Sequence, residues 1–319
     1  MDRILTLELV RVTERAAMAA ATQRGRGDEQ LADQAAVDAM WGELNRLNLR
    51  GRIVVGEGER DAAPKLYVGE AVGSGEGDEV DVAIDPLDGH TLCAKNLPNS
   101  LAAIAVTRRG GLLNVPDIYM EKIAIGPGYP AGLVDLDMPP EEAIARLADA
   151  KGVRPQDISA CILDRPRHAA LIAEVRATGA SIRLIGDGDV AGIIHTTDPQ
   201  TTGTDIYLGS GGAPEGVLAA AALRCIGGQM CGRLILDTVE KRQRAEEKGI
   251  SERNRVYTAE DMASGEVLFA ATGITDGSLL PGVWLDRASA TTFSIVTRSK
   301  TGTQRWVRAK HAREEPNRG

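Results

Sequence analysis

The chain has 319 residues, 43% of them hydrophobic but only 3% aromatic, so its core has to be built from Ala, Val, Leu and Ile, in two domains or one large one. A net charge of −8 argues against a nucleic-acid partner, which needs a basic surface, but not against a phosphorylated small molecule, because a local cation overrides the global sign. No run approaches the length of a membrane helix, the N-terminus lacks a signal-peptide shape, and Cys93, Cys161, Cys225 and Cys231 are too scattered for a zinc ribbon or a disulfide framework, which together suggest a cytoplasmic protein with reduced thiols and no membrane partner.

In chain order, Leu5, Leu9, Val12 and Ala16 recur at helical steps and predict a helix over 2–22. RGRGD breaks it, and Asp28 is placed to cap a second helix over 29–48 that Gly51 closes. On that helix Asp33 shares a face with Val37, Met40, Leu44 and Leu47, where an unpaired charge is costly. RIVV (52–55) and VDVAI (80–84) read as strands that stop at GEGERD and DPLDG. SLAAIAVT (100–107) and GLLNV (111–115) read as a hairpin turned by RRGG. The turn formers GPGYP (126–130) suggest a domain boundary. Beyond them the pattern alternates: a helix over 141–150, a strand ACILD ending at RPRH, a helix over 168–178 closed by Gly179, a strand IRLI ending at GDGD, and a strand DIYL ending at GSGGAPEG before a helix to about Ile226. Residues 240–255 read as a solvated helix or loop, and EVLFAATGI and TTFSIVTRS as a closing pair of strands.

In open α/β sheets, ligands bind beyond the carboxyl ends of the strands. Those ends carry Glu57, Glu59 and Asp61, then Asp85 and Asp88, then Arg165 and Arg167, then Asp187 and Asp189, and finally Glu215. Acids gathered in one place repel one another, raise their own pKa values and destabilise the fold unless a divalent cation neutralises them. Carboxylate oxygens suit Mg²⁺ or Mn²⁺, whereas zinc prefers His and Cys. In DPLDG, Asp85 leaves the strand and can bridge two ions, and Pro86 stiffens the backbone. Asp88 returns to the site placed to cap a helix, and Gly89 admits a phosphate close to the N–H groups at that helix start. A simple Asx turn with an N-cap is the structural alternative. GSGGAPEG fails as a dinucleotide fingerprint, because Pro214 takes the third glycine position.

VVGEGERD followed by DPLDG resembles the lithium-sensitive, metal-dependent phosphatase superfamily. Together with GRGDEQLAD, VPDIYMEKIAIGPG, RPRH, GDGDVA, GGAPEG and FAATGIT, in order to about residue 310, the chain resembles the class II fructose-1,6-bisphosphatases. The resemblance implies an α/β, layered α+β sugar-phosphatase fold with two mixed sheets and flanking helices. Residues 1–128 would form a metal-binding domain and 129–319 a substrate-clamp domain, in a homo-oligomer. It also implies hydrolysis of the 1-phosphate of fructose 1,6-bisphosphate, a small-molecule sugar bisphosphate, with Mn²⁺ or Mg²⁺. Asp33 and Glu57 would hold one metal, and Asp85, Asp88 and Glu215 a second. Asp61 and His90 would act on the attacking water. Asp88, Gly89, His90, Tyr119, the Arg165–Pro166–Arg167 clamp, Asp187, Gly188, Asp189 and Gly212 would contact substrate. For Tyr119 a half-buried core position is the bland alternative, for the arginines surface charge, for Glu215 a helix-dipole role, for Asp61 an N-cap. His168 reads as a helix-start residue. The chain departs from the family pattern with Asp88 for Glu, His90 for Thr and Glu29 for Lys. A dual fructose-1,6-/sedoheptulose-1,7-bisphosphatase, or a catalytically weak sugar-phosphate-binding paralogue motivated by His90 and Glu29, stay open.

Overall fold

The structure is a computed structural model that describes residues 1 and 3–312. The first helix, α1 (Leu5–Ala21), buries Leu9, Val12 and Ala16 as their spacing predicts. α2 (Glu29–Leu44) opens at Asp28, whose carboxylate accepts from the Leu31 N–H at 2.9 Å. It ends four residues earlier than 48, with Asn45 as its C-cap. Gly51, expected to close it, lies instead within β1 (Leu49–Val55), paired with Val72 of β2 (Ala71–Val72), where a Cβ would come within 2.8 Å of the valine methyl. β3 (Asp78–Asp88) absorbs the whole DPLD segment by bulging between Asp85 and Asp88. α3 (His90–Ala94) and β4 (Leu101–Arg108) follow, then β5 (Tyr119–Ile125), α4 (Pro140–Lys151), β6 (Ser159–Leu163), α5 (Ala169–Ala177), β7 (Ser181–Ile185), α6 (Asp189–Ile194), α7 (Pro199–Thr202), β8 (Ile206–Gly212), α8 (Ala213–Ile226), β9 (Gln229–Leu234), α9 (Val239–Glu247), β10 (Tyr257–Thr258), α10 (Ala259–Met262), β11 (Val267–Gly273), β12 (Trp284–Leu285), β13 (Ser289–Arg298) and β14 (Thr303–Ala312).

These strands form two mixed sheets. The larger runs β12-β13-β11-β4-β3-β1-β2 with β14 on β13, and the smaller β10-β9-β5-β8-β6-β7. The boundary expected between residues 128 and 129 falls just after β5, and strands from both sides of it enter both sheets. The expected 100–107/111–115 hairpin does not form. The free edge of β4 is taken by β11, from Val267 opposite Thr107 to Gly273 opposite Leu101, and residue 112 makes only an isolated bridge to Ala263. RRGG turns the chain out of the sheet, with the Gly110 N–H donating to the buried Asp81 carboxylate at 2.6 Å.

The layers are helix, sheet, helix, sheet, helix. α1 and α2 cover one face of the larger sheet, through Leu9, Val12, Met40 and Leu44 against Ile53, Val82 and Ile104. α8 lies between the sheets, with Val217 to Leu223 packed in one core with Ala103 and Phe269 from one side and Met120 and Tyr207 from the other. α4 and α5 cover the outer face of the smaller sheet through Ile144, Leu147, Ile172 and Val175. A helix buried all round needs small side chains to keep two sheets close, and Ala219 to Ala222 supply them, which accounts for the aromatic-poor core. β4, buried on both faces, reads for the same reason as an unbroken apolar run. Among the described residues no helix is long and apolar enough to cross a membrane.

Candidate active site

The middle helix layer brings the ends of β1, β3 and α8 to one cleft of about 280 Å³. Val54, Val55 and Leu218 contribute its apolar wall, and Glu57, Glu59, Asp85, His90, Asp117 and Glu215 its polar one. Glu57 stands two residues past the end of β1, after Gly56. Its carboxyl is pushed up to about 7, first by burial, then by the nearby Asp33 and, more weakly, Glu215. Asp85 stands at the β3 bulge, where one oxygen accepts from the Leu87 N–H at 3.1 Å to close an Asx turn. Its pKa lies well above the carboxylate range because burial is compounded by Glu57, Glu215 and Asp33. Glu215 curls back over the first turn of α8, and a Cβ on Gly212 would overlap its carboxylate. Burial and Asp189 raise its pKa, and its Oε2 is buried with no hydrogen-bond partner.

Asp88 is buried, but not as the cap expected of it. α3 starts at Gly89 with no side-chain cap. The bulge turns Asp88 inward toward the smaller sheet, where its Oδ2 accepts from the Ala191 N–H at 3.1 Å in the first turn of α6. Burial, then Asp85 and Asp189, hold its pKa well above the usual range. Asp33 is half-buried at the edge of the apolar face of α2 rather than within it, and its Oδ1 is 3.0 Å from His90 Nε2. That hydrogen bond lifts the imidazole pKa to about 9. Near neutral pH His90 is therefore a donor held by a carboxylate, not a free base. Thr91 donates its hydroxyl to Glu29 at 3.0 Å, which keeps that acid beside the cleft. Asp61 is exposed on the turn after β1 and does not line the cleft.

The other end of the site is built on β5, β6 and β8. Arg167 donates through Nε to Ser210 Oγ at 3.1 Å and through Nη2 to the Ser210 carbonyl at 2.7 Å, with its guanidinium 4.6 Å over the Tyr119 ring. Tyr119 is 47% exposed, not a core residue, and faces Gly212 across the β5–β8 ladder. Arg165 is half-buried and Pro166 exposed at the same turn. Asp187 accepts from the Thr91 N–H at 3.3 Å and from the N–H of Gly188 at 3.0 Å, tying this end to the DPLDG turn. Asp189 faces inward, where its Oδ2 accepts from Lys122 Nζ at 2.6 Å in an ion pair with almost no exposure. Lys122 and Asp117 were not anticipated as site residues. The signal for Lys122 was available: it alternates with Met120 on the inward face of β5.

Three buried carboxyls with raised pKa values, Glu57, Asp85 and Glu215, one of them with an unpartnered oxygen, fit a hard divalent cation. Among the described residues no three His, Cys, Asp or Glu side chains are already gathered around one point as ligands. One end of the site is acidic and the other carries an arginine stacked on Tyr119, an arrangement that suits the class of metal-dependent phosphatases. The chain matches the model of the bacterial fructose-1,6-bisphosphatase family, glpX-encoded, over residues 3–311. It is 42% identical to the D-fructose 1,6-bisphosphatase class 2/sedoheptulose 1,7-bisphosphatase of Synechococcus sp. strain JA-3-3Ab, covering 98% of this chain and 97% of that one. It is likewise 42% identical to the protein of the same description from Prochlorococcus marinus strain NATL1A, over 98% of each. Among solved structures it is similar to the extragenic suppressor protein suhB from Bartonella henselae at 15% identity, with a TM-score of 0.36 over 61% of this chain and 74% of that one, too slight a likeness to add to the sequence match. The chain belongs to the bacterial class II fructose-1,6-bisphosphatase family, whose members are phosphoric monoester hydrolases.

Proposed function

We propose that this chain hydrolyses the 1-phosphate of fructose 1,6-bisphosphate to fructose 6-phosphate and phosphate. The observation that carries this reading is the cleft shared by Glu57, Asp85 and Glu215, with the Glu215 carboxylate packed on Gly212, which pairs across the β5–β8 ladder with Tyr119 of the Tyr119–Arg167 stack. Asp33 and Glu57, and Asp85, Asp88 and Glu215, would hold divalent cations, Mn²⁺ or Mg²⁺; bound there, such ions lower the pKa of water and neutralise phosphoryl oxygens.

The chain's own residues do the rest. Arg167, with Arg165 beside it, binds the phosphate that does not react, since a guanidinium fork matches phosphate oxygens. Tyr119 and Gly212 border the sugar, Gly212 through its backbone, since the Glu215 carboxylate fills its side-chain position. Asp187 and Gly188 order the loop that meets the sugar hydroxyls. His90, with Nε2 3.0 Å from Asp33, is placed to hydrogen-bond the attacking water or a phosphoryl oxygen. Asp61 acts on that water only if the turn after β1 folds in. Holding the reactants in line supplies a large part of the acceleration.

The descriptions of the relatives from Synechococcus and Prochlorococcus carry a second activity, and the same clamp suits sedoheptulose 1,7-bisphosphate. We place the protein in the cytoplasm as a homo-oligomer. Phosphate release from both bisphosphates and from fructose 6-phosphate, with Mg²⁺ and Mn²⁺ in turn, tests the function. Release from the bisphosphates alone is expected; no release with either metal refutes hydrolysis and leaves a sugar-phosphate-binding protein.

A further inference from the structure

His168 takes no part in the chemistry above, yet it is 3% exposed and fully bonded at the base of the clamp. Its two nitrogens have defined roles. The Ser210 N–H donates to Nε2 at 2.8 Å, so that nitrogen carries no proton. Nδ1 therefore holds it and donates to the Leu163 carbonyl at 2.8 Å. The ring thus ties the last residue of β6 to the middle of β8, at the one residue that accepts twice from Arg167. Ser210 Oγ also stands 3.1 Å from Nε2, so its hydroxyl can donate to the ring while accepting from Arg167 Nε. Gly209, at φ +144, lies flat against the imidazole; a Cβ there would come within 3.2 Å of the ring. Burial and the two neighbouring arginines press the His168 pKa below its ordinary value, which keeps the ring neutral and this tautomer in place.

We propose that His168 is a positioning residue for the substrate's non-reacting phosphate: by fixing Ser210 it sets the direction in which Arg167 presents its remaining N–H groups. The inference rests on Arg167 being the phosphate clamp. Without the ring, the Ser210 hydroxyl can rotate and its peptide can tilt, the guanidinium follows off the Tyr119 face, and the fork no longer meets two phosphate oxygens together.

Two substitutions separate positioning from bulk structure. Glutamine reaches the Nε2 position and can still accept from the Ser210 N–H. Asparagine reaches only the Nδ1 position and keeps the Leu163 contact. Each loses one buried hydrogen bond, so both should lower the melting temperature by similar amounts. His168→Asn should raise KM for fructose 1,6-bisphosphate about ten-fold with kcat nearly unchanged, while His168→Gln stays within about three-fold of the parent. The calorimetric Kd of fructose 6-phosphate should move in step with KM. Equal KM for the two variants, tracking their melting temperatures, overturns the positioning role and leaves the clamp intact. Arg167→Ala is the control: it should raise KM by about ten-fold or more, and a KM left at the parent value would refute the clamp and this inference together.

Discussion

The two ends of the candidate site are built on opposite electrostatic plans. At the acidic end, Glu57, Asp85 and Glu215 are buried against one another, and Glu215 Oε2 has no partner. At the clamp end the polar groups are matched within the chain: Arg167 with Ser210, His168 with Ser210 and Leu163, Lys122 with Asp189. The first end carries negative charge that nothing among the described residues of the chain matches. The second is set before any ligand arrives. A site that must gather metal ions stores repulsion, whereas one that must orient a phosphate benefits from having its donors aimed in advance.

The sharpest way to break this contrast is to neutralise one charge at each end. Asp85→Asn should reduce phosphate release by on the order of 10³-fold or more. It should nevertheless raise the melting temperature of the metal-free chain, because it replaces a buried carboxyl crowded by Glu57 and Glu215 with a neutral amide. Lys122→Met should do the reverse to stability, costing roughly 3–5 kcal/mol by leaving Asp189 buried without its counter-ion. Melting temperatures that move the same way in both variants would remove the distinction.

Protons probe buried groups at the acidic end and away from it with opposite signs. The Glu57 carboxyl, at about 7 folded against an ordinary 4.5, binds a proton more readily in the folded chain. Its contribution is therefore most favourable below pH 4.5 and declines as pH climbs through 7. His195, 2% exposed beside α6, is pushed down to about 4 by burial and, secondarily, Arg183, so its protonation favours the unfolded chain. Its contribution is full above pH 6.5 and is lost as pH falls toward 4. Denaturant unfolding of the metal-free protein from pH 4 to 8 should show Glu57→Gln cancelling a decline, and His195→Asn cancelling a rise, of about 3 kcal/mol each. The smallest effect is expected at the rim: Glu29→Gln should raise kcat/KM for the anionic substrate about two- to five-fold at low salt, fading as ionic strength screens the charge. An undiminished effect in high salt would mean that Glu29 acts by contact.

Much of the acidic end was legible because acids directly after apolar runs have few structural reasons to be there, and Glu57, Asp85 and Glu215 do share the cleft. The pairing of β4 was not, since RRGG signals that the chain turns but not which strand will meet the freed edge; β11 wins by burying both faces of an alanine-rich strand. The end of α2 was misplaced because Gly51 marks a close strand contact rather than a helix stop. Asp88 and Asp189 look alike in sequence as turn acids, but each is spent on a partner from another element, Ala191 and Lys122. Alternation along β5 marks Lys122 as inward-facing, but which partner such a residue meets leaves no local trace.

The most direct test is a calorimetric titration of Mn²⁺ into the purified metal-free chain near pH 7, where Glu57 is about half protonated. Saturable uptake is predicted, with protons released to the buffer and a higher melting temperature, and with the uptake lost in Asp85→Asn. A wild-type chain that takes up neither Mn²⁺ nor Mg²⁺, and melts at the same temperature with and without them, would contradict the claim that these carboxylates are a metal site.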